Sequence, residues 1–134
     1  MSNNFMVIDD NSTNNLICKY TIRKFSDKAE ISIFTEPEDA LEFIKVAYGN
    51  SNGDIRTILF LDINMPYMTG WEFLEEFKEL KEEIQKQFVI YMLSSSVDER
   101  DKEKAKNNPL VSGFYSKPLT IHTIKDLYSH HNLT

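Results

Sequence analysis

The chain has 134 residues and 15.7 kDa, with Lys+Arg 15 against Asp+Glu 21 and a formal net charge of −6. A hydrophobic share of 41% and a charged share of 27% exclude a disordered chain, and a pI near 5.0 argues against nucleic-acid or anionic-membrane binding by overall charge. The single cysteine, Cys18, rules out an internal disulfide, and the longest apolar run, Phe88 to Leu93, is too short to cross a bilayer.

Short apolar runs alternate with helical patterns along the chain. Phe5-Met-Val-Ile8 is the first run, and Ile17, Cys18, Thr21, Ile22 and Phe25 then share one helical face. Ile31-Ser-Ile-Phe34 follows. Thr35-x-x-Glu38 has the spacing of a capping box, with Pro37 in the first turn and a stripe of Ala40, Leu41, Ile44, Ala47 and Tyr48 behind it. The loop from Tyr48 to Arg56 is rich in Asn, Ser and Gly and reads as a flexible surface connection. Ile58-Leu-Phe-Leu61 is the third run, and Phe73, Leu74, Phe77, Leu80 and Ile84 predict one helix after it. Phe88 to Leu93 is the fourth run. Asp98 to Asn108 then has Ala105 as its apolar side chain, with Ser96-x-x-Glu99 as a cap and Asp98–Lys102 as an i,i+4 pair. These terms hold a helix weakly. Gly113-Phe-Tyr115 is the last run, and Thr120 caps a final helix striped by Ile121, Ile124 and Tyr128.

Repeated strand–helix units predict an α/β fold, with a parallel sheet covered by helices on both faces. In such open sheets ligands bind at the carboxyl ends of the strands. There the chain places Asp9-Asp10 after the first run, Asp62 after the third, Ser94-Ser95-Ser96 after the fourth and Lys117-Pro118 after the fifth. Each alone has a plainer reading as a turn, a cap, a strand end or a surface dipeptide. Together they make a pattern. Three carboxylates at adjacent strand ends repel one another unless a cation neutralises them, and Mg²⁺ suits a few carboxylates with phosphate oxygens nearby. A lysine at the fourth corner makes sense if an anion is bound as well, with the Ser94 hydroxyl as a further donor. The set reads as Mg²⁺ plus a phosphoryl group, with Asp62 central and available as nucleophile.

Four stretches carry a family resemblance: Phe-Met-Val-Ile-Asp-Asp-Asn, Leu-Phe-Leu-Asp-Ile-Asn-Met-Pro followed by Gly70, Met-Leu-Ser-Ser-Ser, and Gly-Phe-Tyr-Ser-Lys-Pro-Leu. Across essentially its whole length the chain resembles the receiver domain of two-component response regulators and is similar to the chemotaxis receiver. The resemblance implies a flavodoxin-like, doubly wound five-stranded parallel sheet of order 2-1-3-4-5. It implies Asp62 as phosphoacceptor, with Asp10 binding Mg²⁺ directly, Asp9 mainly through water, and Asn64 through its backbone carbonyl. Lys117 would pair with the phosphoryl group, and its bond to Pro118 is cis in the family. Ser94 matches the switch hydroxyl and Phe114 the switch aromatic. Two positions depart from the commoner pattern: Ser94 stands where Thr is usual, and Phe114, in place of Tyr, has no phenolic group to offer a partner. Asn64 and Ser96 fall at the positions that tune acyl-phosphate lifetime.

The implied function is that of a stand-alone receiver, with residues 1–134 forming a single domain (core about 5–128) and no effector domain. It would take a phosphoryl group from a histidine kinase or a histidine phosphotransfer protein and pass the signal to a downstream protein. The output face would comprise the fourth helix, fifth strand and fifth helix. The expected setting is cytoplasmic, without a signal peptide at Met-Ser-Asn-Asn, and with neither nucleic acid nor membrane as partner. The chain is expected not to be an enzyme beyond assisting its own phosphorylation and dephosphorylation.

Other classes fit less well. A haloacid-dehalogenase-type phosphatase places its Asp after the first strand with a second Asp two residues on, where this chain has Asn64. A flavodoxin-type binder needs a phosphate loop where Asp9-Asp10 would repel phosphate. A phosphate sink or relay remains open beside the messenger role. His122, His130 and His131 read as surface histidines, Cys18 as a buried inert thiol, and Trp71 as packing at the start of the third helix. Leu16 and Tyr20, opposite the core stripe, read as singly exposed apolar residues or a docking patch.

Overall fold

The computed structural model describes residues 4–50, 53, 55–96 and 98–131, with side chains through residue 129. The first three residues, parts of the 48–56 loop read as a flexible connection, and the side chains of His130 and His131 read as surface histidines lie outside the described residues.

The described residues form strands β1 (Asn4–Ile8), β2 (Glu30–Phe34), β3 (Thr57–Asp62), β4 (Phe88–Ser94) and β5 (Val111–Ser116). Helices α1 (Ser12–Phe25), α2 (Pro37–Gly49), α3 (Gly70–Phe77), α4 (Glu82–Gln85), α5 (Glu99–Asn107) and α6 (Ile121–His131) connect and follow them. All strand pairs are parallel, in the order β2-β1-β3-β4-β5. This is the flavodoxin-like winding expected from the resemblance. It reverses between β1 and β3, with Ile8 level with Leu61.

The continuous apolar runs are explained by the two covered faces. Along β3, Leu59 and Leu61 join a core with Met6, Ile8, Ile44 and Phe73, whereas Ile58 and Phe60 join a second core with Phe5, Val7, Ile22 and Ile124. Period-two alternation sends each strand's side chains to both layers, so no polar face is left. β3 is buried at every position, which fixes the depth of its last residue, Asp62.

Several local expectations need correction. In α1 the inward residues are Asn15, Cys18 and Ile22, while Ile17 is 42% exposed. Asn15 takes the inner place because its amide donates to the Asp9 carbonyl at 2.9 Å. Thr35 does not cap α2: Glu36 occupies the N-cap without a side-chain bond, and Pro37 leads the helix. The predicted third helix ends at Phe77, and Ile84 belongs to the separate turn α4. The break has no Gly or Pro to announce it, and Gln85 satisfies the freed carbonyls of Lys78 and Leu80 at 3.0 and 2.7 Å. Asp98, not Ser96, caps α5, and Lys102 pairs with Glu99 rather than Asp98. Thr120 does cap α6, its hydroxyl accepting from the Thr123 N–H at 3.1 Å. Leu127, unassigned by the sequence stripe, joins Ile124 and Tyr128 in the core.

Candidate functional site: an acid pocket at the strand ends

Asp9 follows β1, and its backbone N–H donates to the Phe34 carbonyl at 3.0 Å, continuing the β1–β2 ladder. Asp62 ends β3, Ser94 ends β4, and the Lys117 N–H donates to the Ser94 carbonyl at 2.8 Å just past β5. These strand ends bring Asp9, Asp10 and Asp62 together, with one oxygen from each lying within 4.8 Å of the others. Asp9 is 2% exposed and Asp62 5%, while Asp10 faces solvent. Lys117 reaches between the buried pair, its Nζ lying 2.7 Å from Asp9 Oδ2 and 2.9 Å from Asp62 Oδ1.

Charge is unevenly compensated here. Burial pushes the Asp62 carboxyl up to about 6, and the nearby Asp9 charge adds to it, while the bond from Lys117 pulls the other way. Burial alone would lower the Lys117 ammonium, but its bonds to Asp9 and Asp62 outweigh that and raise it. The lysine is therefore held charged between two acids. Below the pocket, burial and the Asp9 charge push the Cys18 thiol up to about 12, which keeps it protonated. That agrees with an inert thiol.

The surroundings fix these groups closely. Asn11 caps α1 by accepting from the Asn14 N–H at 2.9 Å, so the plain reading of Asp-Asp-Asn as a turn and cap also holds. The Asn11 N–H donates to Asp9 Oδ1 at 2.9 Å, and Asn14 Nδ2 donates to Asp9 Oδ2. Gly70 is where the chain must pass close to Asp62: a Cβ there would lie 2.5 Å from the Asp62 carbonyl oxygen and 3.0 Å from Met92 Cε. Thr69 and Glu72 form a reciprocal capping box that starts α3 at that glycine. Tyr67, in the loop between, is fully exposed at φ 69°. The peptide bond Lys117–Pro118 is cis.

The remaining expected residues lie on β4, on β5 and in the loop after β3. The Ser94 side chain is buried, and its hydroxyl donates to the Ser96 carbonyl at 2.6 Å. Phe114, level with Met92 in the β4–β5 register, is half-buried against the core under α2 and α3. Asn64 is exposed two residues past Asp62. Asn14, Asn15 and the Thr69–Glu72 box escaped the sequence reading. The box was legible from its Thr-x-x-Glu spacing; the two asparagines show only as a polar run after the acidic pair. Trp71 does more than pack: its indole N–H donates to Asp101 Oδ1 on α5 at 3.0 Å, and Lys104 lies over its ring.

The fold and this pocket define a doubly wound α/β protein that gathers acidic oxygens and one lysine where the winding reverses. A model of the response regulator receiver domain matches residues 5–129, and the chain belongs to that family. The fold is similar to a two-component response regulator from Cytophaga hutchinsonii, at 31% identity over 95% of this chain and 94% of that one, with a TM-score of 0.85. A response regulator receiver protein from Dyadobacter fermentans is similar at 25% identity, covering 98% of both chains, also with a TM-score of 0.85. The chemotaxis response regulator CheY4 of Vibrio cholerae shares the fold at 20% identity, over 97% of this chain and 98% of that one, with a TM-score of 0.73. Comparison with curated protein sequences gives no match. The family is a signalling one, and among the described residues no helix is long and apolar enough to cross a membrane.

Proposed function

We propose that the protein is a phosphoacceptor switch whose Asp62 takes a phosphoryl group from a histidine kinase or a histidine phosphotransfer protein. The observation that carries this reading is the buried Asp62 carboxylate, held by Lys117 at 2.9 Å and facing Asp9 and Asp10. The donor set fits Mg²⁺. It consists of hard carboxylate oxygens within 4.8 Å of one another, and Asn64, two residues beyond Asp62, can add its backbone carbonyl. Bound there, Mg²⁺ would offset the facing carboxylates and polarise the phosphoryl oxygens.

The chain's own groups supply the rest. An Asp62 oxygen bonds to phosphorus as the bond from phosphorus to the donor's imidazole nitrogen breaks, and the freed imidazole takes up a proton. Lys117 bonds to the transferred group. The Ser94 hydroxyl leaves the Ser96 carbonyl to do the same, and Phe114 moves into the space vacated. The changed charge shifts the surface of α5, β5 and α6, through which the signal passes to another protein. On this reading the protein works in the interior of the cell, beside its phosphodonor.

Incubation with a small acyl phosphate and Mg²⁺, followed by intact-protein mass spectrometry, tests the reading. One phosphoryl group should be added to the native chain and none to Asp62→Asn. Steady turnover of a phosphate ester without a phosphorylated protein would instead make the chain a phosphatase.

A further inference from the structure

Asp9 and Asp62 share one lysine but not one set of donors. Among the described residues, Asp62 has Lys117 at 2.9 Å. Asp9 has Lys117 at 2.7 Å and the Asn14 amide on Oδ2, and the Asn11 N–H at 2.9 Å on Oδ1. An ionised carboxylate offers only lone pairs, so the nitrogen end of the Asn14 amide must face it. Two donors therefore converge on a single oxygen of an acid that is 2% exposed. The second donor fills the other lone pair of that oxygen.

It becomes useful when Lys117 is needed elsewhere. A phosphoryl group on Asp62 attracts the ammonium, and each step of Nζ away from Asp9 leaves a buried charge less paired. Asn14 lies on the first turn of α1, pinned by its own N–H to the Asn11 cap at 2.9 Å, so it stays in place while the lysine moves. We propose that Asn14 is a positioning residue that holds Asp9 Oδ2 while Lys117 turns to the incoming phosphoryl group. This inference rests on the phosphoacceptor reading of Asp62, and it assigns Asn14 the task of releasing Lys117.

The test is a double-mutant cycle on the intact chain, with phosphorylation by a small acyl phosphate and Mg²⁺ followed by intact mass. Asn14→Leu should slow phosphorylation about five- to tenfold when Lys117 is present. In the Lys117→Ala background the same change should leave the slower rate unaltered, because no lysine remains to be released. Asn14→Ser, which retains a hydroxyl donor, should recover part of the loss and serves if Asn14→Leu fails to fold. Equal slowing in both backgrounds would reduce Asn14 to a shaping role, and no slowing beside Lys117 would overturn the proposal.

Urea unfolding of the four metal-free proteins decides the case if Lys117→Ala reacts too slowly to follow. Two donors on one oxygen must couple, so the double variant should lose more stability than the two single losses combined. Additive losses would overturn the proposal. A wild-type protein that accepts no phosphoryl group would instead overturn the phosphoacceptor reading, and is recognised by that result alone.

Discussion

The acid pocket, at the ends of the interior strands β1 and β3, and helix α5, packed beside the edge strand β5, are built on opposite plans. Asp9 is tied by its own N–H, its carbonyl and both carboxylate oxygens, and Asp62 ends a strand buried at every position. Helix α5 contributes Ala105 to the buried residues and otherwise presents charge. Its ion pairs, Arg100–Asp98 and Lys102–Glu99, are exposed, and pairs of that kind contribute little to stability. Its contact with α3 is polar, through Trp71 and Asp101. The difference teaches where such a molecule can change. Chemistry needs groups that do not drift, while a signal needs an element with a second position close in free energy.

The contrast can be broken first from the rigid side. Gly70→Ala drives a Cβ to 2.5 Å from the Asp62 carbonyl oxygen, where the obstacle is backbone rather than a flexible side-chain tip. The substitution should cost about 3 kcal/mol of stability, read by urea denaturation. A cost near zero would show that the β3–α3 junction yields, and the pocket would no longer count as fixed.

Charge gives the next largest effect. The folded Asp62 carboxyl, at about 6, lies above its ordinary 3.8, so the folded state binds the proton more tightly than the unfolded state. Its stabilising contribution is complete below about 3.8 and is lost as pH rises through about 6. In metal-free protein near pH 7, Asp62→Asn should therefore be the more stable by about 2 kcal/mol. Thermal melts across pH 4 to 7 should show this gap opening as pH rises, and Mg²⁺ should narrow it by stabilising the native protein. A gap that closes with rising pH would reverse the sign of the argument.

The smallest effect belongs to helix α5. Trp71→Phe removes the indole N–H while leaving an aromatic ring on α3, and should loosen α5 by about 1 kcal/mol. Amide exchange in α5 should quicken about fivefold while the strands keep their protection. Loss of protection in β3 as well would mean that α5 is part of the core rather than an independent element.

Much of this was legible in the residues. The continuously apolar third run, with Asp62 at its end, required a strand covered on both faces; the burial of Asp62 itself shows in the fold. The gathering of Asp9-Asp10, Asp62 and Lys117 at one end of the sheet followed from strand-end placement in an α/β fold, whereas the ion pairs of Lys117 with Asp9 and Asp62 show only in the folded chain. What escaped has physical reasons. Ile17 is apolar, yet Asn15 takes the inward place because it bonds the Asp9 backbone, a contact that helical periodicity does not encode. The end of α3 at Phe77 depends on Gln85 reaching back to two carbonyls, with no breaker residue to mark it. The Trp71–Asp101 bond joins residues on different helices, and only the folded chain brings them together.

The central claim is that the chemistry belongs to Asp62 and not to its acidic neighbours. Its most direct test is to phosphorylate the native chain with a small acyl phosphate and Mg²⁺, reduce the product with borohydride, and sequence the peptides by tandem mass spectrometry. Reduction converts an aspartyl phosphate to homoserine. Homoserine is expected at position 62 alone; homoserine at position 9 or 10 would contradict Asp62 as the phosphoacceptor.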